Sequence, residues 1–255
     1  MKAYFAAIVV SMFIFFCCKT NYAIGQEANH GFSFSAKTGL TLANMYGPDV
    51  ESETFLNGGN PNNFYANHPA NSHFKPGVNI GLSADYHFNK HISLGLGSSF
   101  IQKGCRVAIA QHWNSETQKY ETINGTVNWN QNFFTFELPL TYFLPLRNND
   151  LYVQAGLFVG LLINSTEVGK ISIDGTDYNY TKSRRASKTE PGYFIGVGYM
   201  YALPDKLGKI FTEISWSRSI LVSPGSDMIP NPQYYYNQTL SLNIGYRFGS
   251  GIFTD

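Results

Sequence analysis

The sequence predicts an all-β fold, an eight-stranded antiparallel up-and-down transmembrane β-barrel, on three observations. Eight segments alternate apolar and polar residues, short and long connections alternate between them, and charges of both signs share the polar phase. Period-two alternation marks a strand because successive side chains leave it on opposite faces. The closing segment TLSLNIGYRF (239–248) is the plainest case: Leu240, Leu242, Ile244, Tyr246 and Phe248 alternate with Thr239, Ser241, Asn243, Gly245 and Arg247. Such an apolar face covers either a protein core or lipid.

The other seven segments follow the same rule. In FSFSAKTGLTL (32–42) the apolar phase holds Phe32, Phe34, Ala36, Leu40 and Leu42; in GVNIGLSADYHF (77–88) it runs from Val78 to Phe88. ISLGLGSSF (92–100), NFFTFELPLTYFL (132–144) and LYVQAGLFVGLLI (151–163) continue the pattern, as do GYFIGVGYMY (192–201) and IFTEISWSRSI (210–220). Each is close to the roughly 9–11 residues that a tilted strand needs to cross a bilayer.

The connections choose between core and lipid. Asn89-Lys90, PLRNND (145–150) and PDKLGK (204–209) are short, whereas 43–76, 107–131, 164–190 and 221–236 are long and polar. Strict alternation is what a membrane barrel requires, with tight turns on the periplasmic side and long loops outside. A soluble β-sandwich, the rival all-β reading, has no reason to gather its long loops at one end.

At the N-terminus, Lys2 precedes an apolar run from Ala6 to Phe16, and Ala23-Ile24-Gly25 supplies small residues before Gln26. The run is short of the roughly 20 residues of a spanning helix. It reads as a secretory signal over 1–25, cleaved to leave one barrel domain over 26–255 in the bacterial outer membrane. A lipoprotein is disfavoured by bulky Phe16 before Cys17. Cleavage removes Lys2 and Lys19 and no acid, leaving 16 Lys+Arg against 17 Asp+Glu. That balance gives no reason to expect nucleic acid. Of three cysteines only Cys105 remains, so a disulfide framework is excluded. Aromatic content is 16%, charged content 14% and mean hydropathy −0.16, as when apolar residues are interleaved with polar ones.

With the apolar phase outward, Lys37, Asp85, Lys103, Glu137, Glu213 and Arg247 all point into the barrel. An eight-stranded interior is just wide enough for side chains to fill it. These six are expected to form a paired lumen network, with inward glycines making room for Phe133, Tyr152, Phe158, Phe194 and Phe211. A proton or cation path along Asp85, Glu137 and Glu213 is the alternative. Arg218 is the one charge on the apolar phase, near the outer end of its strand, where it can snorkel to the interface. Tyr86, Phe88, Tyr142, Tyr199, Tyr201, Tyr246 and Phe248 are expected in an interfacial girdle near the periplasm, with Trp216 further up.

The third segment runs on as IQKGCRVAIAQHW, and TVNWNQ leads into the fourth, with Val107, Ile109, Val127 and Trp129 on the inward phase. Two readings stand: a two-stranded fin above the membrane whose apolar side and strand edges capture a partner, or an ordered loop packed over the barrel mouth. Cys105 sits there as a small apolar residue. The six histidines show no metal spacing, and no cofactor is expected. A rim hydrolase would need His112, Asp174 and a loop serine to converge. KSRRASK (182–188) reads as a solvated basic loop, and Asn124, Asn164, Asn179 and Asn237 each open an Asn-x-Ser/Thr triplet in an expected outer loop.

The chain resembles the PorT-like outer-membrane β-barrel family of the Bacteroidetes group. The likeness is carried by AKTGLTLANM, KPGVNIGLSADYHFNKHISLGLGSSFIQKG, FFTFELPLTYFL, LYVQAGLFVGLLIN, GYFIGVGYMY and LSLNIGYRF, with a Gly-aromatic rhythm and an F-x-E-L-P-L strand. It implies outer-membrane residence and an eight-stranded barrel; its founding member is associated with protein secretion, and it brings no catalytic residues. One departure is the tail GSGIFTD after Phe248. The expected function is a non-enzymatic barrel whose outer loops bind envelope or extracellular components. A narrow channel and a rim hydrolase are the alternatives. Expected partners are outer-membrane lipid, the barrel-assembly machinery and an envelope or extracellular protein, with the barrel itself a monomer.

Overall fold

The computed structural model describes residues 31–58, 63–114, 118–146, 149–204, 207–220, 223–224 and 234–249. The expected signal over 1–25, most of the 221–236 connection and the tail after Gly249 lie outside the described residues. Among the described residues twelve strands are present: β1 Gly31–Tyr46, β2 Glu53–Asn57, β3 Tyr65–Ala66, β4 Lys75–His87, β5 Ile92–Asn114, β6 Lys119–Leu146, β7 Asn149–Ile173, β8 Thr176–Ser183, β9 Thr189–Ala202, β10 Lys209–Ser219, β11 Ser223–Pro224 and β12 Tyr234–Gly249.

Eight of them close a ring. β1 pairs β4, β4 pairs β5, β5 pairs β6, β6 pairs β7 and β7 pairs β9. From there β9 pairs β10, β10 pairs β12 and β12 returns to β1, every pairing antiparallel. Closure removes both sheet edges, the condition for strands to stand in hydrocarbon. The eight strands hold the eight alternating segments, with only Phe88 and Ile220 one residue beyond a strand end, and the phase is the expected one: Leu40, Ile80, Leu138, Leu157, Ile195, Ile214 and Leu242 are exposed on the outer wall. Ser33, Asn79, Asp85, Lys103, Thr135, Glu213 and Asn243 are buried inside.

The interior fills by cross-strand complementarity. Tyr152 stands opposite Gly198, Phe158 opposite Gly192, Phe194 opposite Gly156 and Phe211 opposite Gly245. In each pair a Cβ on the glycine would run into the facing ring. The four aromatics and Phe133 are buried, as the inward phase required.

Above the barrel the strands do not stop. On β6 the outward phase is apolar from Leu144 to Phe134 and then turns polar at Asn132, Asn130, Asn128 and Thr126. The pairing of β6 with β7 shifts there: Phe133 faces Leu162 and Asn132 faces Asn164, so Ile163 is an extra, exposed residue. A bulge reverses side-chain phase. Below it even-numbered residues of β7 point inward; above it Ser165, Glu167 and Ile171 do. The bulge sits where the lipid-facing wall ends.

The extended strands form a head with its own interior. β2 pairs β5 in parallel from Glu53↔Ala108 to Leu56↔His112, β3 pairs β2, and β8 pairs β7. An isolated bridge between His73 and Arg106 carries the cover of β5 down towards β4. Connections expected as loops at 43–76, 107–131 and 164–190 thus hold strands, and Asn124, Asn164, Asn179 and Asn237 lie within strands. Leu56, Phe64, Ala66, Val107, Ile109, Val127, Ile171 and Tyr180 pack together, and Met45, Ala70, Cys105, Trp129 and Tyr235 form a second cluster.

Replacing Gly198 with valine should cost roughly 1–3 kcal/mol through overpacking against Tyr152. The folded fraction in detergent, read as heat-modifiable electrophoretic mobility, should fall, while valine at exposed Thr38 leaves it unchanged.

Candidate functional site

Inside the barrel the six sequence-predicted ionisable residues are brought into one column, though not all pair with one another. Towards the short-turn end of the barrel, Arg247 Nη2 lies 3.0 Å from Asp85 Oδ2. Lys209 pairs with Asp150 on the same side, and Phe143, Tyr152, Met200 and Phe211 pack as an apolar cluster beside them. Midway, Lys37 Nζ donates to Glu137 Oε2 at 3.0 Å and Ser99 Oγ to Glu137 Oε1 at 2.8 Å. Among the described residues Glu213 takes no direct cation: it accepts from Tyr152 Oη at 3.0 Å, Gln154 Nε2 at 2.6 Å and Asn243 Nδ2 at 3.2 Å.

The upper layer was not legible. Lys103 Nζ donates to Glu190 Oε1 at 2.7 Å, and Asn237 Nδ2 donates to Glu190 Oε2 at 2.8 Å and to Gln131 Oε1 at 2.9 Å. Lys103 also lies over the Phe158 ring, 4.5 Å from its centroid. Glu190 ends an expected loop, and only its even-numbered phase with Gly192 and Phe194 could have marked it as inward. A cavity of about 30 Å³, bordered by Lys37, Lys103, Glu137 and Glu213, lies between the middle and upper layers. Space of that size holds a water or two.

Across the outer wall, Phe88, Tyr142, Tyr199, Tyr201, Tyr246 and Phe248 are exposed. Tyr86 packs edge-on to Phe88 at 5.2 Å, and Tyr246 stacks on Phe248 at 5.9 Å. Trp216 stands towards the other end, 5.7 Å from Tyr193.

In the head, the fin with an open apolar side needs correction. Val107, Ile109, Val127 and Trp129 are all buried. The reason is that β2 and β3 fold over β5 while β7 and β8 cover β6, so neither strand of the hairpin leaves a free edge there. Leu56 and Phe64, set in a polar stretch, supply the covering side chains. Trp129 Nε1 donates to Ser165 Oγ at 2.8 Å.

A buried carboxylate clasps this cover shut. Glu167 Oε1 accepts from Ala66 N and Tyr180 Oη, both at 2.6 Å, and Arg184 Nε lies 3.1 Å from Oε2. Burial pushes the Glu167 carboxyl up from its ordinary value, and Arg184 opposes the shift. Arg184 also donates to the Ala66 carbonyl at 2.9 Å, so one cation of the expected solvated basic loop is structural. Cys105 donates to the Pro69 carbonyl at 3.0 Å, and burial pushes its thiol up to about 12. His112 Nε2 lies 3.0 Å from the Gly58 carbonyl, and its ring packs edge-on to Phe64. Among the described residues no group of three or more His, Cys, Asp and Glu could hold a metal ion.

Among the groups the head presents to water is an aromatic set. Trp113 and Tyr120 stand opposite one another on β5 and β6, 39% and 52% exposed, with ring centroids 5.0 Å apart. Phe55 on β2 joins them, 5.5 Å from Tyr120. Trp113 follows the β5 register shift after Ile109, which turns it outward against the strand's earlier phase.

Residues 24–220 match the family described as "Outer membrane protein beta-barrel domain". No curated protein matches the chain. Solved structures similar to it include Neisserial surface protein A, at 10% identity, covering 84% of this chain and 97% of that one, with a TM-score of 0.37. OprG from Pseudomonas aeruginosa is 12% identical over 85% of this chain and 95% of that one, with a TM-score of 0.39. Ail of Yersinia pestis is 11% identical over 86% and 99%, with a TM-score of 0.36.

Replacing Glu137 with alanine leaves Lys37 without its ion-pair partner and should cost about 3 kcal/mol, read as a lower urea midpoint in detergent. Replacing Glu137 with glutamine, which keeps the Ser99 contact, should cost less. Cys105 should resist maleimide at pH 8 in the folded barrel and react once unfolded, since its thiolate is inaccessible and its thiol stays protonated below about 12.

Proposed function

The chain belongs to the outer membrane protein beta-barrel domain family, and on that premise we propose that it is a non-enzymatic, monomeric barrel whose outer head binds another envelope or extracellular component. One observation carries this reading: the exposed Trp113–Tyr120 pair at the head, joined by half-buried Phe55 and held on strands with a packed interior beneath it. Large aromatics exposed together on a rigid support favour association, because their burial gains area at little conformational cost. The buried Val107, Ile109, Val127 and Trp129 then serve as the support.

The ion-paired layers from Asp85–Arg247 to Lys103–Glu190 favour a closed lumen over a solute channel. The engagement of His112 with a backbone carbonyl favours binding over hydrolysis. The F-x-E-L-P-L strand and the Gly-aromatic rhythm support placement in the PorT-like branch, and with it a part in protein secretion. Export through the 1–25 signal and insertion by the barrel-assembly machinery complete the proposal.

In intact cells, a photo-crosslinker at Lys119 should capture a defined partner, and capture should fall at least severalfold when Trp113 and Tyr120 are both alanine; an unchanged yield refutes the reading. Purified barrel in planar bilayers should show no conductance above background, and discrete openings would favour the channel instead.

A further inference from the structure

Arg218 is the one charged residue on the lipid-facing phase of the eight spanning segments. Its neighbours on that face are informative. Ile214 and Trp216 precede it on β10, and Trp216 packs against Tyr193, the register partner of Arg218 on β9. On β12 its register partner is Gln238. The guanidinium is not there: Cζ lies 5.4 Å from the Tyr236 ring centroid and 4.7 Å from that of Tyr46. Tyr236 pairs with Tyr46 across β12 and β1, two residues nearer the outer end than Gln238. The side chain therefore climbs away from the hydrocarbon to a pair of tyrosines at the outer rim of the wall.

We propose that Arg218, Tyr46 and Tyr236 form a seat for a phosphate group on an outer-leaflet lipid headgroup. A cation is costly at mid-membrane and nearly free of cost near the interface, so its position suits the headgroup layer. The rings hold the guanidinium by cation–π attraction and leave it able to meet an oxoanion through paired N–H donors. Asn44 and Gln238, paired beside it, are neutral, and among the described residues Arg218 has no ion-pair partner. Placement on the barrel wall, not on the head, selects a lipid as the source of the phosphate.

Native mass spectrometry of the full chain in detergent, titrated with monophosphoryl lipid A, tests the seat. Wild type should retain one lipid; Arg218→Gln should weaken retention about tenfold, Arg218→Lys less, and Arg106→Gln, an outward cation on the head, not at all. Dephosphorylated lipid A should bind as weakly to wild type as the phosphorylated form does to Arg218→Gln. Unchanged retention in Arg218→Gln, an equal loss in Arg106→Gln or equal binding of the dephosphorylated lipid would each overturn the proposal. Displacement of the lipid by millimolar inorganic phosphate would also overturn it, by making this a soluble-anion site. Should Arg218→Gln fail to fold, the ratio of Arg218→Lys to wild type decides.

Discussion

Hydrocarbon offers no partner to a backbone amide, and the pairing of β12 with β1 is what lets this chain enter it. Fourteen register positions from Ser33↔Gly249 to Tyr46↔Tyr236 close the ring and leave no unpaired sheet edge in the spanning region. Without that seam, two edge strands would face lipid with open N–H and C=O groups, and the alternating side chains would have no inside. The outward exposure of Leu40, Ile80 and Leu242, which would be a liability in water, follows from the same closure.

A ring of eight is narrow, and its contents follow from that. Four of the buried aromatics enter where the neighbouring strand supplies a glycine, as Tyr152 does opposite Gly198 and Phe211 opposite Gly245. The remaining volume is shared by charges that must neutralise one another. Lys37 with Glu137, Arg247 with Asp85 and Lys103 with Glu190 do so directly, while Glu213 is held by neutral donors from three side chains. The lumen is thus a core built from polar material, and its stability depends on partners being complete.

The head solves a different problem. Once β5, β6 and β7 outrun the bilayer, their inner face still carries Val107, Val127 and Ile171, and their flanks would be open edges in water. β2 and β3 cover one flank and β8 the other, and the Glu167–Arg184 clasp joins the two sides through Ala66. The extra residue at Ile163 re-aims β7 where the solvent changes, turning Ser165 and Glu167 inward above the membrane.

Sequence alone determined the spanning part: strand count, phase and the direction each charge faces, because lipid imposes a strict period of two on every residue of the wall. It also placed Lys37, Asp85, Lys103, Glu137, Glu213 and Arg247 in the interior. Which of them pair was decided only by the barrel's stagger, which set Lys103 beside Glu190 and left Glu213 to Tyr152 and Gln154. The head was decided by tertiary structure almost throughout. Leu56 and Phe64 belong to the short apolar runs Phe55-Leu56 and Phe64-Tyr65-Ala66 in a polar stretch, and a bulge reverses phase after Ile163. Neither leaves a periodic trace, because contacts between segments distant along the chain place those side chains.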